Sequence, residues 1–118
     1  MNPRLAGREV WTPVCRFEDL AVERGVAALV NGHAVAIFRT CDDQVHALAN
    51  HDPFSKGSVL ARGIVGTRAG VSFVGSPAHK QAFDLRTGQC LDDPHVSVTV
   101  YQVRVADGVV QVGPRSTA

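Results

Sequence analysis

Short apolar runs rich in β-branched residues recur along the chain, separated by Gly, Asn and Asp, and helical periodicity is hard to find. This alternation is typical of a small all-β sandwich or barrel. The strongest local signal is Asn31-Gly32, which joins the apolar runs 26–30 and 33–39. Because Asn-Gly accepts the positive φ angles of a type I′ turn, these two runs predict a β-hairpin.

The same signals predict the other strands and the limits of the domain. Residues 96–105 change their apolar face near Tyr101, which predicts a β-bulge there, and Gly88 suits the left-handed position of a turn. We expect residues 1–9 to be a flexible N-terminus, residues 10–113 a single domain, and residues 114–118 a frayed C-terminal tail. The further predicted strands span residues 9–14, 45–49, 71–74, 81–85 and 109–112.

Composition and charge narrow the class of protein. A chain of 118 residues fits one domain with a modest core. Its 12 basic and 11 acidic residues leave a formal net charge of +1, which argues against a nucleic-acid partner or an anionic membrane surface. We expect neither a membrane helix, which needs ~20 apolar residues, nor a secretory signal. Cys15, Cys41 and Cys90 have no metal-binding spacing and cannot all pair, so we expect free thiols and a cytoplasmic location.

Residues 76–88 carry the motif with the clearest chemical meaning. They run Ser-Pro-Ala-His, then Phe-Asp, then Thr-Gly, and this resembles a ligand loop of a Rieske iron–sulfur protein with Ser76 in place of a cysteine. Aligned on residues 47–49, Asn50 takes the place of the other cysteine and Asp52 that of a histidine, so only His79 keeps a ligand of the expected type. A Rieske cluster needs two thiolates and two imidazoles, which a hydroxyl and an amide do not replace. The resemblance implies an all-β, Rieske-like sandwich or barrel with two loops at one tip and no cluster ligands.

A closer resemblance extends from about residue 11 to about residue 112. The segments that carry it are residues 52–55, 59–66, 76–77, 80–81, 83–85, 87–88 and 90–93. There the chain is similar to the small subunit of the assimilatory NAD(P)H-dependent nitrite reductase, which reduces nitrite to ammonium. The resemblance implies that this chain is non-catalytic, binds no cofactor or metal, and accompanies a large subunit. That large subunit would carry the FAD, the 4Fe-4S cluster and the sirohaem, and would bind NAD(P)H.

Other interpretations stay open at this point. A Rieske-type ferredoxin would need the ligands that Asn50, Asp52 and Ser76 replace, whereas a stand-alone binding module would keep the same fold. A mononuclear metal site built from His51, Asp52 and His79 has suitable residue types. Adjacent residues in extended backbone point to opposite sides, however, so His51 and Asp52 would not readily converge on one metal. We expect Asn50 and Asp52 to form hydrogen bonds with loop amides instead.

The two loops also predict a surface for the partner. In working Rieske proteins the corresponding tip meets the electron partner, so the resemblance implies that this tip docks on the large subunit. An aromatic side chain among several cations suits a buried anchor with a charged rim. We expect Phe54 either to fill the space that a cluster would occupy or to anchor this interface. The candidate interface residues are His51, Pro53, Phe54, Lys56, Arg62, His79 and Lys80.

Overall fold

The computed structural model of the chain describes residues 10–78 and 80–116, and these form an all-β fold, as predicted. The expected flexible N-terminus, residues 1–9, lies outside the described residues, as do His79 and residues 117–118. Two short 3-10 turns, Phe17–Asp19 and Leu60–Arg62, follow the first strand and precede the fifth. The strands are β1 (Thr12–Arg16), β2 (Arg24–Val30), β3 (His33–Arg39), β4 (Val45–Ala49), β5 (Ile64–Arg68), β6 (Val71–Gly75), β7 (Ala82–Asp84), β8 (Val100–Ala106) and β9 (Val109–Arg115).

The strands form two antiparallel sheets. Six strands are hydrogen-bonded in the order β1-β9-β8-β4-β3-β2, and the edge strands β1 and β2 contact each other, so this sheet curls into a nearly closed barrel. The other three strands have the order β5-β6-β7. One loop leads from β4 of the barrel toward β5 of the small sheet, and another joins β6 to β7. These are the two loops in which the sequence predicts a site.

The hairpin turns follow the sequence closely. Asn31 and Gly32 have φ angles of 51° and 82°, which confirms the predicted type I′ turn between β2 and β3. Gly88, at φ 79°, takes the left-handed position expected of it. A side chain at this position would also meet the carbonyl oxygen of Val98, because an added Cβ lies only 2.1 Å from it.

The fold contains two hydrophobic cores, and strand β3 contributes to both. Val35 and Ile37 belong to a core formed by barrel strands, whereas Ala36 and Phe38 belong to a second core that includes small-sheet residues such as Val74. All four of these β3 residues are 0% exposed. Because both faces of β3 are buried, neither set of alternating side chains contacts water, and this explains the continuous apolar run in this strand.

Strand β8 begins at Val100 and not at residue 96 as predicted. The segment before it pairs irregularly with the turn after β7, since the Val98 amide donates to the Gly88 carbonyl oxygen at 2.8 Å. The predicted bulge near Tyr101 is confirmed by a register shift between Tyr101 and Val103 in the pairing with β9.

The ends of the fold also differ from expectation. Strand β1 begins at Thr12, later than predicted, and the predicted residue Glu9 lies outside the described residues. Strand β9 continues to Arg115, which pairs with Tyr101, so Pro114 and Arg115 are part of the barrel and not of a frayed tail. Within the described part of the chain, no helix has the length and apolar character needed to span a bilayer.

Candidate functional site

The two loops share one backbone hydrogen-bond pattern. In the loop after β4, the Lys56 amide donates to the Asp52 carbonyl oxygen at 2.7 Å, and the Asp52 amide donates to the Gly57 carbonyl oxygen at 2.8 Å. In the loop after β6, the Lys80 amide donates to the Ser76 carbonyl oxygen at 2.9 Å, and the Ser76 amide donates to the Gln81 carbonyl oxygen at 2.9 Å. Lys56 and Lys80 both have a φ angle of 64°. Asp52 is therefore the structural equivalent of Ser76.

Side-chain contacts repeat this equivalence. Asp52 Oδ1 accepts a hydrogen bond from the Phe54 amide at 2.9 Å, and Ser76 Oγ accepts one from the Ala78 amide at 3.2 Å. Each loop therefore contains a turn in which a short oxygen-bearing side chain binds the amide two residues ahead. The alignment on residues 47–49 assigns the first cysteine position to Asn50, but the geometry places Asp52 at the position equivalent to Ser76.

Ser76 and Asp52 also bind each other and join the two loops. The Ser76 hydroxyl donates to Asp52 Oδ2, and the two residues are 2% and 0% exposed. Burial raises the pKa of Asp52, but the hydrogen bonds from Ser76, Phe54 and Ser55 outweigh it, so that its pKa lies below the ordinary value. The link is therefore a buried hydroxyl bonded to an ionised carboxylate, which is among the stronger kinds of hydrogen bond.

Asn50 holds the first loop to the chain that follows it. Its side chain is nearly buried, at 5% exposure. Asn50 Oδ1 accepts a hydrogen bond from the Ala61 amide at 2.7 Å, and Nδ2 donates to the Ser58 carbonyl oxygen at 3.2 Å. Both Asn50 and Asp52 thus bind backbone amides, as expected from the sequence, and Asn50 ties the loop to the 3-10 turn before β5.

The residues at these positions do not fit a Rieske cluster. In such a centre both cysteine thiolates bind the same iron, so the two cysteine positions must lie close together. Here the equivalent positions hold Asp52 and Ser76, which lack a soft sulfur donor and already bind each other. Cys90, the cysteine nearest to the second loop in sequence, is 1% exposed and packs in the core. His79 lies outside the described residues.

His51 and Asp52, two of the three residues proposed for a mononuclear site, do not converge on one point, and the third, His79, lies outside the described residues. His51 is exposed while its neighbour Asp52 is buried, so the two side chains lie on opposite sides of the backbone. Both carboxylate oxygens of Asp52 are occupied by hydrogen bonds from this chain. Within residues 10–78 and 80–116, no group of three or more His, Cys, Asp or Glu side chains is arranged to hold a metal ion.

Phe54 occupies space inside the loop region. It is half-buried and packs against the core that lies between the barrel and the small sheet. Its ring centroid lies 6.1 Å from that of Phe83, with the two planes inclined at 46°. In a Cys-x-His loop with Asp52 at the cysteine position, Phe54 stands where the histidine would be. Of the two roles expected for Phe54, its contacts favour filling the space beneath the loop.

Apart from His79, which the structure does not describe, the other predicted interface residues lie on the surface of the two loops and beside them. His51, Lys56 and Lys80 are exposed, Pro53 is half-buried, and Arg62 is exposed at the end of the 3-10 turn. Arg62 and Lys80 border a groove of about 520 Å³ whose walls are mostly apolar. Sequence reasoning missed the apolar lining of this groove, which consists of Ile64, Phe73, Gly75 and Pro77.

Comparisons with known proteins agree on one family. A family model described as a Rieske-like 2Fe-2S domain matches residues 10–113. The nitrite reductase (NADH) small subunit of Escherichia coli K12 is 46% identical over 103 residues, which cover 86% of this chain and 95% of that protein. A crystal structure from Mycobacterium tuberculosis, assigned to the NADH-dependent nitrite reductase small subunits, is 49% identical with a TM-score of 0.88, and the match covers 93% of this chain and 99% of that chain.

A third relative is a much larger protein. The nitrite reductase NAD(P)H large subunit of Klebsiella oxytoca is 36% identical over 112 residues, which cover 95% of this chain but only 12% of that protein. In that organism a segment like this chain is therefore part of the large subunit's own polypeptide.

The fold and the two loops define a Rieske-like domain in which an Asp–Ser hydrogen bond stands at the two cysteine positions. The end-to-end matches narrow this class further, because the relatives are similar over almost their whole length. The chain belongs to the family of nitrite reductase NAD(P)H small subunits, which confirms the resemblance found in the sequence.

Proposed function

We propose that this chain acts as the small subunit of an NAD(P)H-dependent nitrite reductase, where it binds the large subunit and contributes no redox centre. The observation that carries the proposal is the match to small subunits from end to end, together with the match to a segment of one large subunit. A domain that occurs inside the partner's polypeptide in one organism is expected to form a lasting, one-to-one complex with that partner in another.

In this proposal the large subunit performs the chemistry. It would bind NAD(P)H and pass electrons through FAD and a 4Fe-4S cluster to sirohaem, where nitrite is reduced to ammonium with six electrons. The donor set of this chain supports the division, because a carboxylate and a hydroxyl at the two cysteine positions cannot hold a Rieske cluster. A cytoplasmic location is supported by Cys15, Cys41 and Cys90, which are all free thiols.

A Rieske-type ferredoxin is the alternative in the same fold. It would require thiolates where Asp52 and Ser76 bind each other, so the same hydrogen bond that supports the subunit proposal argues against it. A stand-alone binding module remains compatible with the fold but leaves the end-to-end similarity to small subunits unexplained.

Co-expression with the large subunit from the same genome tests the proposal. We expect a tagged form of this chain to retain the large subunit at one-to-one stoichiometry through size-exclusion chromatography. The complex should reduce nitrite with NAD(P)H, while the isolated chain should not. Failure to form the complex, with both proteins folded and the large subunit loaded with its cofactors, would contradict the proposal.

A further inference from the structure

The groove beside the second loop arises from an unusual pairing of residues between β5 and β6. Ile64 lies opposite Gly75, and Gly66 lies opposite Phe73. Side chains alternate between the two faces of a strand, so with Val65 buried at 6% exposure, Ile64 and Gly66 face outward. Ile64 and Phe73 therefore each have a glycine, and no side chain, across the ladder between β5 and β6.

Among the residues that the structure describes, this pairing leaves Ile64 largely uncovered. Ile64 is 77% exposed, the largest value among the exposed large hydrophobic residues in the described parts of the chain. A side chain could be added at Gly75 without a clash, because an ideal Cβ there meets its nearest atoms at 3.7 and 3.9 Å. The groove between Ile64, Phe73 and Pro77 is thus open apolar space of about 520 Å³.

Two cations border this apolar surface. Arg62 and Lys80 both line the groove and are exposed. Within residues 10–78 and 80–116, neither forms a salt bridge. A second, more polar groove shares Arg62 and Ile64 with the first and is also lined by Val22, Glu23 and Arg24. An apolar centre with free cations at its edge fits a partner segment that presents an apolar side chain flanked by carboxylates.

We propose that this Ile64 groove is the docking surface for the large subunit, which inserts an apolar side chain between Ile64 and Pro77 and places carboxylates against Arg62 and Lys80. The proposal rests on the proposed function and adds where the two subunits meet. It places the contact beside the predicted loop tip and gives the central role to Ile64, because the Phe54 ring is already engaged in the core.

The large subunit is the occupant favoured by two observations. The K. oxytoca relative carries a segment like this chain within its large subunit, so a surface of this domain must suit the rest of that polypeptide. A symmetric dimer through this groove would bring two copies of Arg62 and of Lys80 into one small interface, and four like charges there would repel each other.

Two substitutions in the groove and one control test the proposal by binding measurements against the purified large subunit. Ile64→Asp places a charge at the centre of the contact, and Gly75→Val fills the groove without backbone strain. Leu29→Asp is the matched control, because Leu29 is 74% exposed but lies on β2 of the barrel. We expect both groove variants to bind at least roughly tenfold more weakly than the wild type, and the control to bind normally.

Charge substitutions test the rim separately. Lys80 has a left-handed φ angle, and Asp tolerates that conformation better than most residues, so Lys80→Asp reverses the charge with little added strain. We expect Lys80→Asp and Arg62→Glu to lower the association rate several-fold at low salt, and this difference to shrink as salt is raised.

The outcomes separate the docking proposal from the proposed function. If the wild type binds the large subunit but Ile64→Asp and Gly75→Val, shown to be folded by circular dichroism, bind equally well, the docking proposal is wrong and the subunit function stands. If the wild type does not bind the large subunit, both are wrong. If the isolated chain dimerises in size-exclusion chromatography and Ile64→Asp abolishes the dimer, the groove belongs to a second copy and the docking proposal is overturned.

Discussion

The hydrogen bond between Asp52 and Ser76 should contribute measurably to the free energy of unfolding. Asp52→Ala removes the acceptor of two bonds, one from the Ser76 hydroxyl and one from the Phe54 amide at 2.9 Å. Ser76→Ala removes the first bond together with the Ser76 acceptor for the Ala78 amide. The two variants and their combination form a double-mutant cycle that isolates the bond between the loops.

The size of the effect follows from burial and charge. A hydrogen bond to an ionised group contributes about 1.5–3 kcal/mol, and removing one partner leaves the other buried and unpaired. Asp52 and Ser76 are 0% and 2% exposed, so water cannot readily replace the lost partner. We expect Asp52→Ala to lower the free energy of unfolding by about 3 kcal/mol and Ser76→Ala by about 2 kcal/mol, with a coupling energy of about 1.5 kcal/mol. Against a total of about 5–15 kcal/mol for a domain, these are large losses.

Urea unfolding followed by circular dichroism at neutral pH measures these values. Asp19→Ala is the control, because Asp19 is exposed and its side chain forms no hydrogen bond within the described residues. A loss for Asp52→Ala no larger than that of the control, or a coupling energy near zero, would refute the view that the Asp52–Ser76 bond holds the two loops together.

Three further predictions concern pH, packing and close backbone contact. Burial lowers the pKa of His46 below its ordinary value of 6.5. The folded state therefore favours the neutral imidazole, and the stability that this contributes is present above pH 6.5 and is lost as the pH falls through the lowered pKa. Urea titrations from about pH 7.5 to 5 should show this loss of stability, and His46→Gln should make it smaller. Phe54→Ala should cost about 2 kcal/mol of stability in thermal unfolding and, in the folded variant, weaken docking less than Ile64→Asp; the reverse order would make Phe54 the anchor. Gly63→Ala should destabilise the fold by more than about 1 kcal/mol, because the added Cβ would lie 2.4 Å from the Gly75 carbonyl oxygen. Gly75→Ala is the control and should be tolerated, so equal melting temperatures for the two variants would contradict this prediction.

The local structure was largely predictable from the sequence. The Asn31-Gly32 pair favours a type I′ turn by itself, and the apolar run that follows it predicts a strand irrespective of the sheet to which that strand belongs. The limits of β8 were not predictable in the same way. Residues 96–99 have the composition of a strand, but they bind the turn after β7 irregularly, and that choice depends on tertiary contacts such as the one between Val98 and Gly88.

The candidate site was predictable in its residue types but not in its register. That Asp52 would bind a loop amide follows from its chemistry. Its bond to Ser76 joins residues 24 positions apart, and no local pattern specifies such a contact. A sequence signal for the equivalence of the loops does exist, since both have the form of an oxygen-bearing residue, Pro, two residues and Lys, as in 52–56 and 76–80. That signal aligns Asp52 with Ser76 and would have corrected the assignment of Asn50.

The Ile64 groove was hidden for a different reason. An apolar residue in a strand is expected to be buried, and the sequence alone does not show which residue lies opposite it. Only the register of β5 with β6 reveals that Ile64 and Phe73 each lie opposite a glycine. Exposure of a large apolar residue becomes informative once that pairing is known.

Iron and acid-labile sulfide analysis of the anaerobically purified chain tests the central claim most directly, which is that a hydrogen bond between Asp52 and Ser76 stands where a Rieske domain holds its cluster. We predict a colourless protein with far less than one iron per chain and no labile sulfide, and a melting temperature that chelators leave unchanged. Visible absorption bands with about two irons and two sulfides per chain would contradict the account.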